Sequence, residues 1–340
     1  MSTYSPIFVR SPRIVSRAGS VGDTMKVELR MFQAGASVPT NPTYTLSKVI
    51  PSSLALTAHF DIAPYCREFI NHLNYTQTTV LTPVNLDEFI RVQVKVFRNG
   101  GTVITSNFVA LDGYGYYDEE YNPELGDIML DEAEYYYEEG TNGGNVYIYQ
   151  DGTYGVAVYN DAVSISIANS TDDFASVPAV HPDYVNTGNT LEIYKSGSPF
   201  KTFVFTPQCE PKYTPIKCDF VNKYGVWQRI TFFKASVQNF NRTSTEFDLM
   251  PDNVNYNKYE NRRQEFNINA TQSIKVNTGF VPETYMEVIR QIMLSEKIML
   301  DDEPVNIVTS SVELQEHINK KLINYQLDFV YSYNKLNYVL

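Results

Sequence analysis

The stretch Ile216-Lys217-Cys218-Asp219-Phe220-Val221-Asn222-Lys223-Tyr224-Gly225-Val226-Trp227-Gln228-Arg229-Ile230-Thr231-Phe232-Phe233 decides the fold class. Its first part alternates Ile216, Cys218 and Phe220 with polar residues, the period of a strand with one buried face. Asn222-Lys223-Tyr224-Gly225 is a turn, since Asn and Gly tolerate positive φ. In the return run Val226, Gln228, Ile230 and Phe232 share one face, and Trp227, Arg229, Thr231 and Phe233 share the other. Apolar residues on both faces predict a strand lying between two layers, with Trp227 in the core.

The same period recurs outward from this hairpin. Met25, Val27, Leu29 and Met31 alternate with Lys26, Glu28 and Arg30. Ile90, Val92, Val94 and Val96 alternate with Arg91, Gln93 and Lys95 and run into the hairpin turn Asn99-Gly100-Gly101. Val146–Tyr149 and Val156–Tyr159 flank Asp151-Gly152, which predicts a second hairpin. Val163, Ile165 and Ile167 alternate with serines, and Leu191 and Ile193 face Phe203 and Phe205 across Lys195-Ser196-Gly197-Ser198. Near the end, Ile323, Tyr325, Leu327, Phe329, Tyr331 and Tyr333 alternate with polar residues, a predicted core strand.

Helical signals are few. Pro282 opens a predicted helix over 282–299, with Tyr285, Ile289, Ile292 and Met293 as its buried stripe and an end near Leu300. A second short helix is predicted over 65–73, where Cys66, Phe69, Ile70 and Leu73 share a face, making Cys66 a buried thiol. Many short strands with one or two short helices give a mainly β chain of two or three antiparallel β-sandwich, immunoglobulin-like domains.

Charge divides the chain. The 340 residues carry 39 acids and 27 bases, a net charge of −12. Between Arg98 and Lys195 lie 17 acids and no base, so the flanks hold 22 acids (39 less 17) against 27 bases. This predicts boundaries near 109 and 205: an N-terminal β-sandwich over 1–109, an acidic Tyr-rich β module over 110–205 that is a candidate insertion, and a C-terminal β-sandwich over 206–340. Asp118, Glu119, Glu120, Asp131, Glu132, Glu134, Glu138 and Glu139 are the candidate contact or lumen-facing surface, against the plainer reading of a solvated acidic loop. A calcium loop lacks its Asp-x-Asp-x-Asp-Gly pattern.

Composition and motifs narrow the chemistry. An acidic chain does not suit general nucleic-acid coating, which rests on clustered Lys and Arg. No apolar run reaches membrane-spanning length, and no signal peptide is expected. Three cysteines, Cys66, Cys209 and Cys218, without metal spacing predict neither a disulfide framework nor a zinc site, and folding in a reducing cytoplasm is expected. His59, His72, His181 and His317 are scattered, and no nucleophile elbow, dinucleotide fingerprint or phosphate loop occurs. No catalytic set, cofactor or metal is therefore predicted. Paired carboxylates for glycoside hydrolysis are not identifiable among so many acids. The 26 tyrosines suit a glycan-binding module better, although Tyr in strands is ordinarily a packing residue with a wet hydroxyl.

Four stretches resemble virion structural proteins of tailed phages that infect Bacteroidetes, including the crAss-like short-tailed phages. They are Pro42-Thr43-Tyr44-Thr45-Leu46-Ser47-Lys48, the run from Phe60-Asp61-Ile62-Ala63-Pro64-Tyr65 to Ile70, the run from Cys209-Glu210-Pro211-Lys212-Tyr213-Thr214-Pro215 through Trp227 to Phe233-Lys234, and Leu322–Phe329. The resemblance lies in the flanks, covers about a third of the chain and rests on packing patterns. It implies a non-enzymatic tail or neck subunit in the virion, made in the host bacterial cytoplasm. Its partners would be further copies in a homo-oligomeric ring of twelve or six, other tail or portal-proximal virion proteins, and DNA only in transit, with no membrane. The alternative is a host-glycan-binding module at the tail tip.

Overall fold

The computed structural model describes residues 4–33, 35–51, 56–72, 75–76, 82–83, 89–101, 103–119, 129–131, 133–149, 154–159, 163–166, 174–180, 185–186, 189–195, 197–210, 212–249, 259, 262–312 and 322–336. The chain is mainly β. Its first part contains β1 (Ser5–Phe8), β2 (Ile14–Ala18), β3 (Thr24–Phe32), β4 (Tyr44–Val49), β5 (Thr57–Asp61), α1 (Ala63–Arg67), β6 (Thr82–Pro83), β7 (Phe89–Arg98) and β8 (Val103–Leu111). A 3-10 turn at Tyr117–Glu119 leads to β9 (Glu134–Glu138), β10 (Asn145–Tyr149), β11 (Tyr154–Tyr159), β12 (Val163–Ser166), β13 (Phe174–Pro178), β14 (Asn189–Lys195) and β15 (Ser198–Gln208). The last part holds β16 (Ile216–Val221), β17 (Trp227–Phe232), β18 (Val237–Asp248), β19 (Arg263–Pro282), α2 (Met286–Leu294), β20 (Ile298–Leu300), β21 (Glu303–Ile307) and β22 (Leu322–Tyr331).

The N-terminal sandwich packs a five-stranded sheet, β1-β8-β7-β3-β4, against the pair β2-β5 and α1. Met25, Val27, Leu29, Val92, Val94, Phe60 and Cys66 fill it, as the alternation requires. Asn99 (φ 49°) and Gly100 (φ 70°) make the tight turn between β7 and β8. The Asn99 side chain accepts from Thr24 N at 2.8 Å and donates to Asp23 at 2.6 Å, so the turn is tied to the start of β3.

A second core unites a seven-stranded sheet, β17-β16-β20-β21-β22-β19-β18, with the sheets β12-β11-β14-β15-β9 and β10-β13-β6. Its residues run from Leu130 to Phe329, so the acidic segment and the C-terminal part share one apolar interior. The boundaries expected near 109 and 205 fall within β8 and β15, and β6 of the first part pairs with β13 of the acidic one. Among the described strand pairs, only β1–β8 and β15–β9 are parallel. The rest are antiparallel.

β17 is buried on both faces. Ile230 and Phe232 enter the shared core, while Trp227, 2% exposed, joins a third cluster with Phe8, Phe89, Val109, Leu111, Met129 and Tyr147. Polar groups close this junction. Asn222, at the end of β16, donates to Met129 O at 3.0 Å and to Gln228 Oε1 at 3.1 Å, and accepts from Tyr224 N at 3.0 Å. Arg229 grips Asp219 with two 2.7 Å bonds, and the Asp219 side chain is 1% exposed. Tyr114 N donates to Lys223 O at 2.9 Å, and Arg10 N to Gly113 O at 3.0 Å.

Four local expectations are corrected. β10 and β11 do not form a hairpin: β10 pairs β13, and β11 pairs β12 and β14 in another sheet. Val146, Tyr147 and Ile148 are all buried, so β10 needs cover on both faces, which the local turn signal does not encode; Asp151 and Gly152 lie outside the described residues. The helix expected over 282–299 begins as a 3-10 turn at Glu283–Tyr285 and stops at Leu294. Ile298 and Leu300 instead form β20 against β16, because their period-2 spacing completes the sheet. The helix expected over 65–73 is the short α1, with Phe69 exposed and Leu73 outside the described residues. β22 buries Ile323, Tyr325, Leu327 and Phe329 as expected, but ends at Tyr331 and leaves Tyr333 exposed.

Two glycines permit the junction. A Cβ on Gly113 would meet the Phe8 ring at 2.4 Å and Lys223 O at 2.7 Å. One on Gly225, at φ 80°, would meet Gly113 N at 2.6 Å. Left-handed strain and overpacking together predict that Gly225→Ala lowers the unfolding free energy by about 2–4 kcal/mol, read by urea titration. Burial pushes the Cys66 thiol up to about 12 and raises that of Cys218, whereas Cys209 is exposed. A thiol reagent is therefore expected to titrate one of the three cysteines in the native chain and all three in denaturant.

Candidate assembly surface

The acidic residues do not form one free surface. Asp131 points inward, where its carboxylate accepts from Tyr224 Oη at 2.7 Å and from Gln291 Nε2. Glu119 pairs with Lys223 Nζ at 2.7 Å, and Glu138 with Lys217 Nζ at 3.3 Å. Tyr116 donates to Glu287 and lies under Lys223 and Arg290, 4.4 Å and 5.4 Å from its ring centre. The basic neighbours of Glu119 and Glu138 thus belong to the chain's own C-terminal part. Asp118, Glu134 and Glu139 face outward, while Glu120 and Glu132 lie outside the described residues.

Tyrosine supplies what the missing bases would. Besides Tyr116 and Tyr224, the hydroxyl of Tyr136 donates to Glu134 at 2.9 Å, that of Tyr194 to Glu192 at 2.6 Å, and those of Tyr44 and Tyr333 to Glu68 and Glu303. A phenol donating to a carboxylate resists ionisation. The Glu303 bond, aided by burial, pushes Tyr333 up to about 12, and burial followed by the Glu134 bond does the same to Tyr136.

The exposed feature that stands apart is the β18–β19 hairpin. β22 accompanies β19 only as far as Ser273, and the chain after it reaches Ala270 through Lys335 N. Beyond that point β18 and β19 pair, among the described residues, only with each other, and the ribbon is exposed on both faces. Isolated two-stranded ribbons are marginal in water. This one is pinned by cross-strand contacts.

A register shift between Thr243 and Thr245, with Asn267 at φ 52°, resets which residues share a face. Past it, Thr245 opposes Phe266, Glu246 opposes Glu265, Phe247 opposes Gln264 and Asp248 opposes Arg263. One face of the tip therefore carries Phe247 and Phe266, whose rings meet edge to face at 5.5 Å, together with Leu249. The other carries charges that neutralise one another: Arg263 with Glu246 at 3.5 Å and Asp248 at 3.6 Å, and Arg242 with Glu265. That last pairing holds the Glu265 carboxyl below its usual range. Phe240, in the first third of β18, is 65% exposed.

β18 is also the end strand of its sheet among the described residues, with no described strand paired to its outer edge. It has no proline, and its charged side chains are engaged across the ribbon rather than guarding the edge. An amphipathic ribbon with a bare edge and large exposed apolar side chains is the form of an interaction element. Its sequence gives little notice, because its aromatic residues are spread singly among Asn, Thr, Ser and Gln without a sustained period.

At the root of the arm a second bulge, between Asn277 and Phe280, places Gly279 at φ 74°. It throws Phe280 out to 72% exposure while Val281 returns to the core. Beside Phe280 opens a cavity of about 170 Å³ walled by Tyr136, Phe233, Val281 and Tyr285, with Lys234 at its edge. Among described residues no group of three or more His, Cys, Asp or Glu is placed to hold a metal ion. Ser16 Oγ and His59 Nδ1, 2.7 Å apart, are opposed neighbours on β2 and β5, so their bond follows from strand register. Among described residues no helix is long and apolar enough to cross a membrane.

No family model matches the chain, and no curated protein matches it. Among solved structures, the crystal structure of the periplasmic chaperone SfaE aligns with 61% of this chain and 98% of its own, at 9% identity and a TM-score of 0.19. A likeness that low carries no argument about function.

The arm and the buried ion pair predict opposite responses to substitution. Replacing both Phe247 and Phe266 with Ser changes the unfolding free energy by less than about 1 kcal/mol, since both are already wet. Asp219→Ala strands the Arg229 guanidinium in the interior and costs about 3–5 kcal/mol, both read by urea unfolding of dilute protein.

Proposed function

We propose that this chain is a non-enzymatic structural subunit that assembles with further copies of itself, and that the assembly is a ring of a phage tail or neck through which DNA passes. The observation that carries the reading is the β18–β19 arm. It gathers the exposed Phe240, Phe247, Leu249 and Phe266 on one ribbon that, among the described strands, ends its sheet. Such an element gains stability only when another surface covers it.

The interlaced cores fit the same role. A subunit that bears load through an assembly needs its segments coupled, and the Trp227 junction couples all three. The four stretches that resemble phage virion proteins support the placement in a tail or neck, with twelve or six copies expected and other virion proteins above and below. A net charge of −12 suits passage of DNA rather than its retention. The outward acids Asp118, Glu134 and Glu139 are the residues to seek on a lumen wall.

One observation favours the second reading, a glycan-binding module at the tail tip. The cavity beside Phe280 mixes aromatic walls with Gln208, Thr231 and Lys234, groups that can stack on and hydrogen-bond a sugar ring.

Native mass spectrometry and cryo-EM of the purified chain at roughly 10–100 μM, the range of a micromolar interface, separate the two. The expected result is a discrete closed species of six or twelve copies. A monomer across that range, with tyrosine fluorescence that responds to sugars, would move the conclusion to the glycan-binding module.

A further inference from the structure

The arm and the cavity are a donor and an acceptor on one subunit. Building on the assembly reading above, we propose that the Phe247–Phe266 tip of one copy's arm docks in the Phe280 cavity at the arm root of the next copy, one phenyl ring entering it.

The fit is one of size, chemistry and reach. A cavity of about 150 Å³ lined by apolar side chains accommodates a benzene ring, and this one measures about 170 Å³. Tyr136, Phe233, Val281 and Tyr285 give it an aromatic and apolar wall, beside the polar groups of Gln208, Thr231, Thr278 and Lys234, and the exposed Phe280 also lines it. The tip presents two Phe rings already fixed against each other, so little side-chain freedom is lost on docking. A chain cannot fill its own cavity this way. Phe266 and Phe280 belong to the single strand β19 and stand about 45 Å apart along it at the usual rise per residue.

Charge selects a second copy as the occupant. Two chains of net charge −12 repel each other over most of their surfaces. By sequence the arm, 237–269, carries Arg242, Lys258, Arg262 and Arg263 against Glu246, Asp248, Asp252, Glu260 and Glu265, a net charge of −1, and so brings little of the chain's charge of −12 to another copy. At the cavity edge, Lys234 is paired with Glu210. The contact thus sets a phenyl ring against the aromatic part of the lining, with Lys234 already balanced by Glu210. Because donor and acceptor occupy different places on the subunit, the contact is head to tail. It propagates from copy to copy and ends only where the rotation closes a ring.

Complementation of two variants tests this. One bears Phe247→Ser with Phe266→Ser and keeps its cavity; the other bears Phe280→Asp and keeps its arm. All three positions are exposed, so both variants are expected to melt with the wild type. Each alone loses assembly by roughly thirtyfold or more, the loss expected on truncating an interface hot spot. Mixed in equal amounts, they are expected to form a one-to-one dimer and nothing larger in native mass spectra, since only one intact arm–cavity contact can form per pair. Phe240→Ser, which removes an exposed arm phenylalanine outside the Phe247–Phe266 pair, should leave assembly intact. If wild type assembles but the mixture stays monomeric, or if Phe240→Ser disrupts as strongly as the tip variant, the arm–cavity pairing is wrong and the assembly reading stands. Wild-type protein that remains monomeric across the same concentrations overturns both.

Discussion

The contact on which the rest of the molecule depends is the close approach of Gly113 to Gly225. There the exit of the N-terminal sandwich meets the turn of the central hairpin, backbone against backbone, with Tyr114 N donating to Lys223 O. No residue with a side chain fits either side without displacing the other. Once the two backbones are in place, Asn222 holds Met129 O of the acidic segment, and Trp227 closes over Phe8, Phe89, Val109 and Leu111. Ion pairs ring this joint, among them Arg67 with Asp112 at 3.3 Å and Arg10 with Glu296 at 3.5 Å. They are partly exposed and each contributes little in water. The apolar cluster and the buried backbone bonds hold the parts together.

The packed joint is continuous with the arm. The arm's root belongs to a seven-stranded sheet whose other end, β17, lies against the junction. A force on the arm is therefore transmitted through paired strands to the N-terminal sandwich rather than absorbed in a linker. The same continuity keeps the arm away from its own cavity, because a paired twenty-residue strand cannot fold back on itself.

The acidic segment shows a different economy. With 39 acids and 27 bases, many carboxylates have no cationic partner to find. Tyrosine hydroxyls take that role at Asp131, Glu134, Glu192, Glu287 and Glu303. A phenol satisfies a carboxylate lone pair without adding charge and brings a ring to pack, as Tyr135 stacked on Phe205 does in the shared core. The tyrosine excess and the base deficit are two sides of one arrangement, and among the described acids Asp131, Glu119 and Glu138 are held against the chain's own C-terminal part.

Alternation and turn chemistry determined much from the sequence alone: the mainly β class, the hairpins at Asn99-Gly100 and Asn222–Gly225, the two-sided burial around Trp227, the alternating core of β22, and the inert Cys66. These follow from side-chain period and positive-φ preference, which are local properties. Tertiary structure decided the remainder. It sent β10 and β11 to different sheets, because a strand buried on both faces takes the partner that covers it rather than the nearest one. It turned Ile298–Leu300 from a helix tail into a strand, because β16 had an open edge to fill. It paired Glu119 and Glu138 with Lys223 and Lys217, and gave Asp131 the hydrogen bonds of Tyr224 and Gln291, distant residues that charge counting along the chain does not reveal. And it exposed Phe240, Phe247, Phe266 and Phe280, since whether an isolated aromatic is core or surface depends on which strand lies beside it.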